Sequence, residues 1–533
     1  MVVFRMIRFN FSRMVQVGLM LFCAAYLGAC ALSPQVYSQK DQAAIDRRYV
    51  EYPAGFVLTK LVDHLDSPNS IAFDTDGTLL IAEAGIDGAE PRILYIKPNT
   101  TEIKQLYPKD QRIPFSPFQP GFRIYGPVGG MVADKGRVYV SHRDANDHGV
   151  ITQFTFDGKH KTIQADLPAM GDFGVTDLAI GPKDRLYFGI GSATNSGIVG
   201  PDNLIWLRDH REFCDQSYVD LELLGLRFIA KNPFAGFFGS ISSEIVNIGP
   251  YQLFGTSNLA HIQKAANGKP NSAVCSVSLT GGDFEVDAYG IRLPRGIVFN
   301  EHNAMFVSNN GMALRGLRPV FNDPDSILRI PSGPALWFGF PDYTADLLSI
   351  TDKQFQPPVS LILPSGFPKL ASLIDIKASG LREIDDTIQR LVKAKFQPLS
   401  GAAKMAFAPS SGPLKRWQGE LFVALSGDRA PFATSGEELK SPVGFKIVRV
   451  NVESGKVDDF IHNTKFLPAS KTDLAGKALE RPCDVKIGPD GSMYILDFGH
   501  IEYKSSGKQR PSGGTGAIYK LSPEEVAPPT PKE

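Results

Sequence analysis

The sequence predicts an all-β fold: a six-bladed β-propeller with a long rim insertion and one short helical insertion. Three observations predict it. First, one pattern recurs along the chain: an apolar strand, a turn rich in Asp, Gly, Pro or Asn, and a second apolar strand. It reads "SIAFDTDGTLLIAEAG" (70–85), "GGMVADKGRVYVSHRD" (129–144), "DLAIGPKDRLYFGIGS" (177–192) and "GIVFNEHNAMFVSNNG" (296–311). It returns as "KMAFAPSSGPLKRWQGELFVALSGD" (404–428) and "DVKIGPDGSMYILDFG" (484–499). Second, most units are followed by another short β run: "RILYI", "GVITQFTF", "SVSL", "SILRI", "FKIVRV" and "GAIYKL". Third, 51 Gly and 39 Pro suit a turn-rich β protein. Such a unit cannot bury both faces alone, and closing the units into a ring covers them. The alternative, two stacked β-sandwiches, explains the likeness between units less well.

The elements follow in chain order. Arg5, Arg8 and Arg13 precede an apolar run, Met14 to Tyr26, that is short for a membrane span. It ends in Leu27-Gly28-Ala29-Cys30, which resembles the bacterial lipoprotein cleavage box. That likeness implies a signal peptide over 1–29, lipidation of Cys30, and an N-terminal lipid as the membrane partner. Ala31 in place of Asp points to the outer membrane, facing the periplasm; an uncleaved anchor is the alternative. Residues 30–52 read as a tether, 53–522 as the propeller, and 523–533 as a disordered tail. Insertions are expected at about 200–275 and 365–398. In the second, Leu381, Ile384, Ile388, Leu391 and Val392 fall on one helical stripe, which predicts an amphipathic helix.

Lys+Arg and Asp+Glu balance at 56 each, so no global field favours nucleic acid. Of five cysteines, Cys23 leaves with the signal and Cys30 carries lipid. Cys214 and Cys275 bracket the first insertion and can pair; Cys483 reads as a buried thiol. No pair has metal-ligand spacing and no haem-attachment motif is present.

In a propeller the loop leading into the first strand of each blade and the loop leaving the second both emerge on one face, around the channel mouth. The exit loops carry Glu83, His142, Asn195, Asn310, Gly311, Arg429 and Asp497. Polar groups converging on a concavity make this rim the expected site.

Several stretches resemble the glucose/sorbosone dehydrogenase family. "IGPKDRLYFGIGSATNSGIVGPDN" is similar to that family's third-blade segment and "YGPVGGMVADKGRVYVSHRD" to its second blade. "YGIRLPRGIVFN", "VSNNGMALRGLRPV", "ALWFGFPDY" and "ERPCDVKIGPDGSMYILDFG" follow in the family's order, so the likeness spans roughly 55–522. The resemblance implies a six-bladed sugar dehydrogenase that uses pyrroloquinoline quinone and Ca²⁺. It implies that Arg292 holds quinone carboxylates, that Asn310 and Gly311 lie near cofactor and calcium, and that Arg429 contacts the quinone. Trp337, with Phe338 and Phe340, stacks on a ring or packs in the core. Asp497 joins Asn310 and Gly311 as a candidate metal ligand. The sequence departs from the family where it matters most. The general-base His corresponds to Phe173, followed by Gly174; an Asn becomes Leu293 and an Asp becomes Ala313. Asp172 and His142 are the candidate catalytic replacements, against structural roles as an Asx turn and a strand-end His. Arg315, Arg318 and Arg481 are further cations that either face the rim or bridge blades.

These readings imply a lipid-anchored quinoprotein-type propeller oxidising a sugar or other alcohol, with a separate electron acceptor. Two alternatives stand: a catalytically silent carbohydrate- or protein-binding propeller, and a calcium-dependent lactonase built on Glu83, Asn195, Asn310 and Asp497.

Overall fold

A computed structural model describes residues 33–108, 122–235, 243–257 and 262–524. The signal segment, Cys30 and the tail beyond 524 lie outside the described residues. Among the described residues no helix is long and apolar enough to cross a membrane.

Six sheets of four or five strands, antiparallel but for one short strand added to blade 3, are arranged as blades. Their innermost strands are Pro68–Phe73, Met131–Asp134, Val175–Gly181, Pro294–Phe299, Ala402–Phe407 and Pro482–Ile487. Each packs on the next, and the last returns to the first, so the ring closes. The two ends of the chain lock that closure. Phe56–Leu65 pairs with Gly516–Pro523 and supplies the outer strand of blade 6.

The core is six cores, one in each gap between blades. Ala72, Leu80 and Ile93 of blade 1 meet Met131, Val138 and Val140 of blade 2. The five other gaps repeat this, as alternation along each strand requires. Each fully buried Ile, Leu or Val contributes about 1.5–3 kcal/mol relative to exposure. Polar side chains then tie neighbours through the backbone. Ser70 accepts from the Met131 amide, Asp177 from Ile297 and Asp484 from Ile71, at 3.1, 3.1 and 3.0 Å. Gly296 sits where a Cβ would lie 2.5 Å from the Ala403 carbonyl, so only glycine allows blades 4 and 5 to approach this closely.

One irregularity shapes the channel. In blades 1, 3, 4, 5 and 6 the pairing of the first two strands slips near the start of the inner strand. A bulge of this kind leaves a residue unpaired and re-aims it. The residues skipped include Asn69, Thr176, Arg295, Lys404 and Cys483, and all five line the axial channel.

Three sequence expectations are corrected. Residues 33–52 are not a loose tether: Gln35–Val36 pairs with the outer strand of blade 6, and Val50–Glu51 extends blade 5 with Val50 fully buried. The helix expected over 381–396 amounts to one turn, Asp386–Gln389, capped by the Asp385 side chain on the Ile388 amide. After it Val392–Phe396 is the fourth strand of blade 4. There Ala394 and Phe396 are buried and Lys395 is exposed, so alternation of period two prevails over the helical stripe. Cys214 and Cys275 are free, buried thiols rather than a disulfide, because Cys275 faces the core between blades 2 and 3 while Cys214 packs within the insertion. Cys483 is likewise a buried free thiol.

The long insertion joins the second strand of blade 3 to its third, Ala273–Ser278. It holds a short helix, Leu204–Leu207, and two small hairpins, Leu221–Leu223 with Ile262–Lys264 and Phe228–Lys231 with Ile245–Ile248.

Candidate functional site

The loops leading into inner strands and leaving second strands surround a rim cavity of about 710 Å³. Blade 1 contributes Gly85–Gly88, blade 2 Tyr125 and Arg143, and blade 3 Asp172 and Phe173. The insertion adds Trp206 and Arg208, while Arg315, Arg429 and Phe432 arrive from later blades. Beneath it, along the axis, lies an inner chamber of about 170 Å³. Pro127, Arg143, Asp172, Phe173, Arg429 and Gln509 line both, so together they form the boundary between the two levels.

The inner chamber is cationic. Its wall carries Arg143, Arg295, Lys404, Arg429 and Arg481, with Asp172 as its one carboxylate among the described residues. Arg295 donates to the Gly401 carbonyl at 3.2 Å and to Ser426 Oγ at 2.6 Å. Arg481 donates through one nitrogen to the carbonyls of Ser426, Gly427 and Asp428, while its buried Nε has no partner. Arg429 lies 5.3 Å over the Phe173 ring and 5.9 Å over Tyr503, and its guanidinium makes no hydrogen bond among the described residues. Burial, helped by the Arg429 charge, lowers Arg295 to about 10, which still leaves it a cation at neutral pH. A chain of zero formal net charge thus concentrates positive charge in one low-dielectric cleft.

Arg292 is placed differently. Its Nε donates to the Asn195 carbonyl at 2.9 Å and its Nη2 to Asn195 Oδ1 at 3.0 Å. Its Nη1 donates to the carbonyls of Asn310 at 3.3 Å and Gly311 at 2.6 Å. Phe173 covers it at 5.2 Å. Phe173, at the position expected for the base, therefore lies between two guanidinium groups.

The candidate bases fare as follows. Asp172 lies on the rim loop but is buried against Arg315, which also grips Asp202, and it accepts from Asn203 Nδ2 at 3.0 Å. It is the anchor of the insertion. His142 does not face the rim cavity. It is buried in the second strand of blade 2, with Nδ1 2.6 Å from the Arg143 carbonyl and Nε2 2.8 Å from Thr152 Oγ1. The carbonyl fixes the proton on Nδ1, and burial lowers the ring to about 4, so it is neutral.

Trp337 does not line the rim or the channel. It is 3% exposed, on a short strand added in parallel to blade 3, and packs edge-on against Tyr343 at 5.7 Å. Phe338 and Phe340 are also core. Their aromatic spacing records packing, not stacking on a ligand.

The candidate metal ligands do not converge. Asp497 accepts from the amides of Glu480, Arg481 and Gly499, at 2.7, 2.9 and 2.9 Å, and so fastens its own blade. Asn310 Nδ2 donates to the Ala402 carbonyl. Glu83 is bound by Arg92 and the Asp66 amide. Asn195 is clamped by backbone at Ala313 and Arg315. The four residues of the lactonase alternative thus serve four separate junctions. Among the described residues no group of three or more His, Cys, Asp or Glu side chains can hold a metal ion. The Asn310 and Gly311 carbonyls point at a guanidinium, so calcium does not fit there.

Arg295 and the ring residues Tyr503, Tyr125, Trp206 and Phe432 escaped the sequence reading. Arg295 had a usable signal. Aligning the hairpins of blades 1, 3, 4 and 6 places it, with Asn69, Thr176 and Cys483, immediately before the repeat's first residue, where the bulge turns it into the channel. Tyr503 ends the small strand Ile501–Tyr503 outside the repeated hairpins, and the other three lie in connecting segments and the insertion, where no repeat marks them.

No protein-family model matches the chain, and no curated protein matches it. Solved structures do. The chain is similar to the holo form of the pyranose dehydrogenase PQQ domain from Coprinopsis cinerea, at 13% identity and a TM-score of 0.48, over 89% of this chain and 97% of that one. It is similar to the calcium structure of a Trichoderma reesei carbohydrate-active enzyme of family AA12, at 14% identity and 0.48, over 90% and 98%. A putative oxidoreductase (glucose dehydrogenase) from Thermus thermophilus gives 14% and 0.42, over 88% and 100%. The fold itself rests on strand order and ring closure, and the chemistry on this chain's own residues.

Proposed function

We propose that this chain is an oxidoreductase-like propeller that holds pyrroloquinoline quinone, a planar polycarboxylated ring, and acts on a sugar or other alcohol at the rim. One observation carries the reading. Arg295, Arg429 and Arg481, none with a carboxylate partner among the described residues, converge beside the rings of Phe173 and Tyr503. The orphaned Arg481 Nε and the unbonded Arg429 fit carboxylate oxygens through charge-assisted hydrogen bonds. When bound, the quinone supplies an acceptor for the hydride of the alcohol carbon. Tyr125, Trp206 and Phe432 offer apolar faces to a sugar ring in the cavity above. Calcium is not part of this reading.

A second reading is favoured by Phe173. No side chain at the base position accepts a proton, and Asp172 is engaged in the ion pair with Arg315. A propeller that binds the quinone, or an anion like it, without turnover follows from that.

Titration of the purified protein with pyrroloquinoline quinone, followed by dye reduction with a panel of aldoses, tests both. Binding with reduction supports the first, binding without reduction the second. Absence of binding removes both. We further propose the cell-envelope location that Cys30 implies. Fatty-acid labelling that persists in Cys30→Ser would refute it.

A further inference from the structure

We infer that the guanidinium of Arg292 is a built-in cation at the junction of the blade 3 and blade 4 exit loops, standing where the sequence resemblance places calcium. Four oxygens from two loops converge on it: the Asn195 carbonyl and Oδ1, and the carbonyls of Asn310 and Gly311. Oxygen-only donors gathered from separate loops are what a hard divalent ion uses. Here, however, all four are neutral. A calcium site of several carbonyls draws its affinity from added carboxylates; the Asp the family places nearby is Ala313, and the neighbouring Asp323 and Asp172, whose charges support Arg292, are engaged by the Met312 and Ala345 amides and by Arg315. Neutral oxygens in a planar fork suit a monovalent guanidinium, whose fixed donors reach carbonyls on both sides.

The surroundings are built for this occupant. Asn195 Oδ1 is held in place because its own Nδ2 donates to the carbonyls of Ala313 and Arg315, at 2.8 and 3.0 Å. The amide of Gly311 donates to Asp325 Oδ1 at 3.0 Å. A Cβ on Gly311 would sit 2.6 Å from the carbonyls of Asp323 and Pro324, so the loop turns its carbonyl towards Arg292 only with glycine there. Phe173 closes the remaining side. Arg292 thereby joins blade 3 to blade 4 across the rim as a positioning residue, and the loops keep their shape without a divalent ion. The inference does not depend on quinone binding.

The test uses the full chain and no quinone. Thermal unfolding of the wild type should agree within about 1 °C between excess EDTA and millimolar CaCl₂. Arg292→Ala should lose about 5 °C or more, and millimolar methylguanidinium should restore at least about half of that loss, while CaCl₂ restores none. Arg292→Lys keeps a charge but not the fork. It should fold, fall between the two, and respond to neither additive. A wild type destabilised by EDTA and recovered by calcium overturns the inference, as does Arg292→Ala answering to calcium instead of methylguanidinium or to neither. Should Arg292→Ala not fold, the wild-type comparison and the Lys variant decide the matter alone.

Discussion

The blade 4 exit loop and the wall of the inner chamber both carry arginines, and they use them in opposite ways. In the exit loop, Arg318 is fully buried and meets Asp342 at 2.7 Å, with the carbonyls of Ser196, Pro341 and Ala371 accepting from its two Nη atoms and its buried Nε left without a partner; the carboxylate, not the count of hydrogen bonds, is what matches it. Arg315 meets Asp172 and Asp202. In the chamber wall, Arg295, Arg429 and Arg481 have backbone, serine or aromatic partners and form no ion pair among the described residues. A cation whose charge is matched inside the fold holds segments together. A cation left unmatched in a cleft has attraction to offer a ligand. Arg292, saturated by four neutral oxygens, holds loops without a carboxylate; between the exit-loop pair and the chamber wall, the difference separates residues that keep the rim in shape from residues that define what it holds, and substitution should divide them the same way.

The largest effect is expected at Arg318. Arg318→Ala leaves the Asp342 carboxylate buried without its counter-charge, and should destabilise the protein by about 3–5 kcal/mol in denaturant titration. Arg318→Met combined with Asp342→Asn removes both charges and should lose less than the single change. A single variant within about 1 kcal/mol of wild type would break the comparison.

His142 belongs with the matched group, since both ring nitrogens are engaged inside blade 2. Burial lowers its pKa from about 6.5 to about 4. Between those values the unfolded chain binds the proton that the folded chain refuses, so stability rises with pH across that window. Acidification from pH 6.5 to 4 should therefore remove up to about 3 kcal/mol through this group. His142→Gln, which keeps a hydrogen-bonding side chain but cannot titrate, should flatten that part of the stability profile. An unchanged slope would show that His142 charges freely in the folded state.

Arg429 is the converse. Arg429→Ala removes a half-buried cation with no carboxylate to strand, so stability should move by no more than about 0.5 kcal/mol. Affinity for the quinone, read by titration, should fall about tenfold, the loss of one charge-assisted hydrogen bond. If Arg429→Ala weakened the fold but not binding, the assignment of unmatched arginines to the ligand would fail.

How much of this was legible in the sequence follows from the same division. The blades were legible because each repeats one hairpin whose period-two alternation survives any loop. "LVKAKF" misled because its five-residue strand abuts a capped helical turn, so a stripe of period 3.6 ran across two elements. At the site, the positions of Arg292, Asn310 and Gly311 were legible and their partners were not. Nothing in "YGIRLPRG" tells whether its first arginine faces a ligand or the carbonyls of a loop about a hundred residues earlier in sequence. Trp337 was ambiguous for a related reason: an aromatic run serves a core and a stacking wall equally well until a neighbour such as Tyr343 is known.

His210 offers the smallest and most local test. It rides on the insertion and reaches Asp147 of the blade 2 exit loop at 3.0 Å and Glu212 at 3.1 Å. Partial burial opposes charging the ring, but the two carboxylates outweigh it and raise its pKa. A raised value means the folded state holds the proton more tightly than the unfolded chain does. The contact's contribution is therefore full below the ordinary histidine value and fades as pH rises through the folded one. Arg315, charged at every pH of interest, keeps its grip on Asp202 throughout. Raising the pH from about 6 to about 9 should then speed proteolysis within residues 200–257 by about two- to threefold without loosening the ring, and His210→Gln should make the rate independent of pH over that range. A wild-type rate that stays flat would mean that Arg315 alone pins the insertion to the rim, and the matched arginine would then account for this junction without help from a histidine.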